Sequence, residues 1–305
     1  MEENRLLVLS GPTASGKSAL ALALARILPL EIVNADSLQV YRGMDIGTAK
    51  SSARERREIP HHLIDVADPD EEFNAGRFVD QAEIAIRGIR ERGRFPLVAG
   101  GTGMYIRALL RGLDPLPSDP VVRAVLARRW REEGGAALFA ELAAVDAASA
   151  KAIHPSDRVR VLRALEIAGI TGAPPSRLKR RWTKVEDKFR ILFIELSMDR
   201  ETLYKRIDER VDDMFRRGLV DEVRRLLSAG YGPELKPMNA LGYRHVLSNL
   251  SGSLSLEQAI DDLKRDTRRY AKRQLTWLSR ETAAVRIDAE NAAGTASELA
   301  RKFLF

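Results

Sequence analysis

The 305-residue chain has no cysteine. That absence excludes disulfides, thiol nucleophiles, iron–sulfur clusters and Cys-ligated zinc together. Histidine is almost as scarce. The four are His61, His62, His154 and His245, and none has a metal-ligand spacing such as HExxH, so a histidine zinc site is not expected. Long apolar runs are missing too: Ala19 to Ala25 is the longest near the N-terminus, far below the roughly 18 residues a bilayer-spanning helix needs. The opening MEENR is acidic where a signal peptide is basic. The expectation is a soluble cytoplasmic protein with no membrane partner, acting as a monomer.

What is present is ordinary globular composition. Apolar residues make up 45% and charged residues 30%, which excludes wholesale disorder. The length exceeds one usual core and falls short of two, so one large domain with an insertion, or two unequal lobes, is implied. Lys and Arg outnumber Asp and Glu by 50 to 43, a net charge of +7; this permits a polyanionic partner without requiring one.

Along the chain, strand patterns at 5–10, 30–36, 62–65 and 95–100 alternate with helical patterns at 18–28, 78–92 and 104–110. Such alternation predicts an α/β fold: a parallel sheet of the phosphate-loop NTPase kind with helices on both faces. The pattern breaks at Gly112 to Pro120, which holds three prolines in nine residues. Residues 121–169 read as helical, and strand character returns at 190–196 and 283–288. The division expected is a first core segment 1–115, a helical insertion 116–187, and a second core segment 188–305 with a basic helix.

Gly11-Pro-Thr-Ala-Ser-Gly-Lys-Ser18 matches GxxxxGK[ST] between a strand and a helix. Glycines let such a loop wrap an anion so that successive N–H groups and the helix N-terminus point at phosphate. Lys17 adds a full charge, and the Ser18 hydroxyl is placed to ligate Mg²⁺. The loop names the anion, not the reaction. Asp36, at the end of the second strand, reads either as a group beside the phosphates, acting as base or metal holder, or as a helix N-cap. Gly100-Gly101-Thr102-Gly103 reads either as a tight turn or as backbone closely approached by a ligand.

A helix is predicted over 256–280. In its segment 264–273, six residues are basic and one acidic. Lys264, Arg268 and Lys272 form one row, Arg265, Arg269 and Arg273 another, giving one positive face with Tyr270 and Trp277 interleaved. The run 177–184 and the arginines Arg128, Arg129, Arg131, Arg158, Arg160 and Arg163 add to it. Nucleic acid is one reading of this charge; a solvated helix face is the other. His61 and His62 read as structural.

In order, GPTASGKS, NADSLQVYRGMDIGTAK, PHHLID, AGGTGMY, IHPSDRVRVLRALE, ERVDDMFRRGLVDEV, NALGYRH and TRRYAKRQLTW resemble the tRNA dimethylallyltransferase (tRNA isopentenyltransferase) family across essentially the whole chain. The resemblance implies transfer of a dimethylallyl group from dimethylallyl diphosphate to the exocyclic N6 amine of the adenosine 3′ of the anticodon in tRNA, with Mg²⁺. It implies Gly11, Thr13, Ala14, Ser15, Gly16, Lys17, Ser18 and Arg210 at the diphosphate, and Asp36 as general base with Lys17 and Thr102 beside it. It implies tRNA contacts at Asp36, Ser37, Leu38, Gln39, Thr102, Arg160, Arg163, Gly242, Tyr243, Arg244, Lys272, Arg273 and Gln274. Met104, Leu241, His245 and Arg269 depart from the family's usual residues, and no cysteine-bearing zinc finger is present, as in the bacterial type. The alternatives are a phosphate-loop small-molecule or nucleotide kinase, an adenylate isopentenyltransferase using free AMP, and an RNA-binding module without catalysis.

Overall fold

In the computed structural model, which describes residues 4–114, 116–178 and 188–305, the apolar runs pair into a six-stranded sheet, parallel throughout. The strands are β1 (Arg5–Ser10), β2 (Leu30–Asn34), β3 (His61–His62), β4 (Phe95–Ala99), β5 (Arg190–Ser197) and β6 (Val285–Asp288), in spatial order β3-β2-β4-β1-β5-β6. The helices among the described residues are α1 (Lys17–Ile27), α2 (Ala53–Glu58), α3 (Ala75–Glu91), α4 (Gly103–Arg111), α5 (Pro120–Glu132), α6 (Gly135–Val145), α7 (Ala147–Ala152), α8 (Arg158–Thr171), α9 (Pro175–Leu178), α10 (Arg200–Arg216), α11 (Leu219–Ser228), α12 (Tyr243–Leu250), α13 (Leu256–Leu278) and α14 (Ala292–Leu304). The parallel α/β core expected from the alternation is present.

Successive residues of β1 point to opposite faces, and both faces are covered. Leu6 and Val8 join a core with Phe78, Ile86 and Ile89 of α3; Leu7 and Leu9 join a second core with Leu20 and Leu24 of α1 and Ala296 and Ala300 of α14. This two-sided burial is why β1 reads as a continuous apolar run. The third strand is shorter than its pattern predicted and stops at His62, because Leu63 (φ 62°) and Asp65 (φ 56°) turn into the left-handed region.

The chain divides into two compact units, one of residues 1–110 with 187–305 and one of 111–186. The second is helical, around Leu126, Leu138, Leu142, Val161 and Leu165. From residue 179 the basic run 177–184 lies outside the described residues. No helix among the described residues is long and apolar enough to cross a membrane.

Register fixes where chemistry is possible. Ala99 at the end of β4 pairs with Leu9 on one side and Asn34 on the other. The loops leaving β1, β2 and β4 therefore emerge side by side at the carboxyl edge of the sheet, where open parallel sheets bind ligands.

Candidate active site

The loop after β1 enters α1 through Ala14 (φ 64°) and Gly16 (φ 92°). The first turn of α1 has no side-chain cap, so its N–H groups stay free for an anion. Ser15 Oγ is buried without a hydrogen-bond partner, and Lys17 Nζ donates to the Pro12 carbonyl at 2.6 Å. Burial, and then the Arg210 guanidinium, push the Lys17 ammonium down to about 7, against the opposing pull of Asp36. A bound anion relieves both penalties.

The loop after β2 is folded by Asp36 itself. Its Oδ1 accepts from the Leu38 and Gln39 N–H groups at 2.9 and 3.3 Å, in an Asx-turn rather than at a helix end; the segment that follows is turn, not helix. Oδ2 accepts nothing from the described residues. Thr102 Oγ1 accepts the Ser37 N–H at 3.1 Å, and the Thr102 N–H bonds the Ala35 carbonyl at 3.2 Å. Thr102 thus holds the Asp36 loop from behind.

The glycines around Thr102 make room for the protein itself, not for a ligand. Gln274 of α13 fills the space a Cβ on Gly101 would need, and a Cβ on Gly103 would lie 2.5 Å from the Trp277 indole. Gln274 is buried, with Oε1 accepting the Thr13 N–H at 2.7 Å and Nε2 donating to the Gly101 carbonyl at 3.0 Å. One side chain ties the phosphate loop to the loop after β4.

Two cavities meet at this edge. A polar one of about 80 Å³ is lined by Thr13, Lys17, Ser18, Asn34, Asp36, Gln39, Thr48, Arg210, Tyr270 and Gln274 among others. A largely apolar one of about 480 Å³ runs from Asp36, Ser37 and Leu38 past Phe73, Tyr105, Val211, Met214 and Leu263 to Gly242 and Arg273. Thr13, Asp36, Thr48, Arg210 and Tyr270 line both. Burial lowers the Arg210 pKa from its ordinary range, with Asp36 opposing. Burial and then the Asp36 charge hold the Tyr270 hydroxyl well above its ordinary value, so it stays a neutral donor. The arrangement places an anion site, a carboxylate and an apolar chamber next to one another.

A model of the family described as IPP transferase matches residues 39–281. The chain belongs to that family. It is 51% identical over 276 residues to tRNA dimethylallyltransferase 1 of Pelobacter propionicus, covering 90% of this chain and 89% of the relative. It is 46% identical to the tRNA dimethylallyltransferase of Geobacter sulfurreducens, covering 99% and 97%. Among solved structures, the full-length tRNA isopentenylpyrophosphate transferase of Bacillus halodurans has 38% identity and a TM-score of 0.73, covering 99% of this chain and 97% of that one. A eukaryotic dimethylallyltransferase described as acting on tRNA has 31% identity and a TM-score of 0.80, covering 98% and 78%.

Within this IPP transferase, several residues expected at an RNA surface serve the interior. Tyr243 is fully buried and donates to Glu222 at 2.8 Å; Gln274 is buried between the two loops. Arg163 is spent within the helical unit, on Glu166 at 2.8 Å and on the Leu116 and Pro117 carbonyls. Arg244 pairs with Asp266 at 2.6 Å. Exposed positions remain at Arg244 despite its ion pair, at Lys272, at Arg273, which lies over the Tyr270 ring at 5.7 Å, and at Arg160, paired with Asp157 at 3.3 Å. The broad positive face of α13 is also narrower than its spacing suggested. Lys264 meets Asp212 at 2.7 Å, and Arg268 grips Asp208 through both oxygens at 2.7 and 2.8 Å. Both acids stand on α10, a helix the basic run gives no hint of.

Spacing missed Thr48 and Glu222. Glu222 is buried and accepts the N–H groups of Asp45, Ile46 and Gly47 at 3.0, 2.7 and 3.1 Å, shaping the loop whose Thr48 carbonyl accepts from Gln39 and Arg210. Nothing in the sequence links residue 222 to 45–47; the only signal was that both sit in blocks carrying the family resemblance. The histidines are structural: His62 contacts Glu31 at 2.7 Å, and His61 Nδ1 lies 2.7 Å from the Ile59 carbonyl.

Proposed function

We propose that this chain transfers a dimethylallyl group from dimethylallyl diphosphate to the N6 amine of the adenosine 3′ of the anticodon in tRNA and releases diphosphate. The observation that carries the reading is the junction of the polar and apolar cavities at Asp36, Arg210 and Tyr270. A kinase needs the first cavity; an allylic diphosphate needs both.

The diphosphate lies on the α1 N-terminus, with Lys17, Arg210 and Tyr270 as donors aimed at charge that grows on the leaving oxygen. The N6 lone pair attacks C1 of the donor, the C1–O bond breaks, and its electron pair leaves on the diphosphate. Asp36 takes the N6 proton through Oδ2, the oxygen its own loop does not use. Thr102 positions that carboxylate. To reach the chamber the adenine leaves the anticodon-loop stack, as base-modifying enzymes generally require. The exposed cations Lys272, Arg273 and Arg160 meet the RNA backbone.

A hydroxyl and a carboxylate facing one polar cavity are hard oxygen donors that suit Mg²⁺, which keeps several waters and binds through phosphates. The Ser18 hydroxyl, which has no hydrogen-bond partner among the described residues, would hold it with the diphosphate oxygens, and the ion would neutralise leaving-group charge.

The test is whether inorganic diphosphate is released from dimethylallyl diphosphate only when an anticodon stem-loop is present. Release with AMP in place of RNA, or conversion of ATP to ADP without diphosphate release, overturns the reading.

A further inference from the structure

Asn34, the last residue of β2, is 5% exposed and lines the polar cavity with Lys17, Ser18 and Asp36. Its Nδ2 donates to the Leu63 carbonyl at 3.1 Å, at the left-handed turn that ends β3. A carbonyl takes only a donor, so this bond fixes which end of the amide is nitrogen. Oδ1 is the other end. It accepts nothing from the described residues, and unlike Ser15 Oγ it is not sealed off by protein. It opens into the cavity.

Most of this cavity suits an anion: Lys17, Arg210 and Tyr270 are donors, and the uncapped first turn of α1 adds its N–H groups. A fixed acceptor among them repels phosphate oxygen, so its partner must be a donor that arrives with the diphosphate. Asn34 does not line the apolar chamber that receives the adenine, so the N6 amine is not that donor. Mg²⁺ brings donors of its own, because it keeps several waters when it binds phosphates. Among the described residues no group of three His, Asp or Glu side chains could hold an ion alone. The protein's share in holding Mg²⁺ is therefore the Ser18 hydroxyl and whatever orients those waters.

We propose that Asn34 is a positioning residue for the metal: its Oδ1 accepts from a water of the Mg²⁺ that the diphosphate carries, while its Nδ2 anchors the amide to Leu63. The inference rests on the diphosphate and Mg²⁺ reading above and adds which side chain makes diphosphate binding depend on the metal. Asn34 itself makes and breaks no covalent bond.

The test is a binding linkage. The affinity for inorganic diphosphate is measured by calorimetry with and without excess Mg²⁺, for wild type, Asn34→Leu, Asn34→Ala and Asn34→Asp. Affinity is a property of the folded fraction, so partial misfolding of one variant changes only the stoichiometry, and Asn34→Ala removes the same acceptor as Asn34→Leu with less bulk. Wild type is expected to bind diphosphate more tightly with Mg²⁺. That tightening should shrink by ~10-fold or more in Asn34→Leu and Asn34→Ala, the low end for residues that act on a metal through its ligands. It should survive in Asn34→Asp, which keeps the acceptor. All three variants lose the bond to Leu63, so a purely structural role affects them alike. A tightening unchanged in Asn34→Leu and Asn34→Ala, or lost equally in Asn34→Asp, overturns the inference, as does a wild type whose diphosphate affinity ignores Mg²⁺. A wild type that binds no diphosphate under either condition overturns the reading beneath it as well.

Discussion

Gln274 Oε1 accepts the Thr13 N–H at 2.7 Å, so the phosphate loop is braced by the helix that also carries the exposed cations Lys272 and Arg273. The same amide donates to Gly101, which makes α13 a structural partner of both ligand loops. Replacing Gln274 by Leu leaves a buried N–H and a buried carbonyl unpaired, a cost of about 1–3 kcal/mol for each group. Gln274→Glu loses the donor and adds a negative charge at the polar cavity. Thermal unfolding should show both variants destabilised, and calorimetry should show diphosphate affinity falling more for Glu than for Leu. Equal affinity in both would mean the amide does not border the anion.

Lys17 provides a pH signature. Its free-state value of about 7 lies below the ordinary 10.5, so between those values the unfolded chain binds a proton the folded one lacks, and Lys17's contribution to stability rises with pH across that window. Diphosphate restores the charge. Binding at pH 8 should therefore take up a proton that binding at pH 6 does not, read by calorimetry in buffers of different ionisation enthalpy. Lys17→Arg keeps its charge throughout and should lose this difference; an unchanged difference would assign the proton elsewhere.

The ion pairs between α10 and α13 separate cations that look alike in sequence. Lys272→Ala should lower the magnitude of the salt slope of RNA binding by about 1. Arg268→Ala should leave that slope near the wild-type value, because Asp208 already neutralises Arg268. Equal losses from both would show that RNA displaces Asp208.

Glu222→Gln removes one of the two carboxylate oxygens that serve three N–H groups and the Tyr243 hydroxyl. At least one donor then loses its acceptor, at about 1–3 kcal/mol where that donor is buried. The loop that presents Thr48 should loosen, with turnover falling along with melting temperature. A variant as stable as wild type would mean water replaces the lost acceptor.

The sheet was legible because its central strands β1, β2 and β4 are buried on both faces and the helices are not: β1 and β4 read as short apolar runs, α3 as a periodic stripe. The phosphate loop was legible because its residues are consecutive. The rest depends on contacts between distant segments. Gly101 and Gly103 looked like ligand contacts because nothing in their own loop shows that Gln274 and Trp277 occupy the space. The second strand ends at Asn34 rather than at Asp36, which lies in the loop beyond it, and whether Asp36 capped a helix or faced a cavity depended on the turn after it. The acids that quench Lys264 and Arg268 lie more than fifty residues away, and a charge count along α13 alone overstates its face. β3 ended early for a local reason, positive φ at Leu63 and Asp65, which their side chains do not announce.

The most direct test of the central claim is nucleoside analysis of an anticodon stem-loop incubated with dimethylallyl diphosphate and either wild type or Asp36→Asn. The account predicts a dimethylallyl group on N6 of the adenosine 3′ of the anticodon with wild type. With Asp36→Asn it predicts turnover lower by about 10²–10⁴-fold at unchanged RNA affinity. RNA left unmodified by wild type, or modified as fast by the variant, would contradict it.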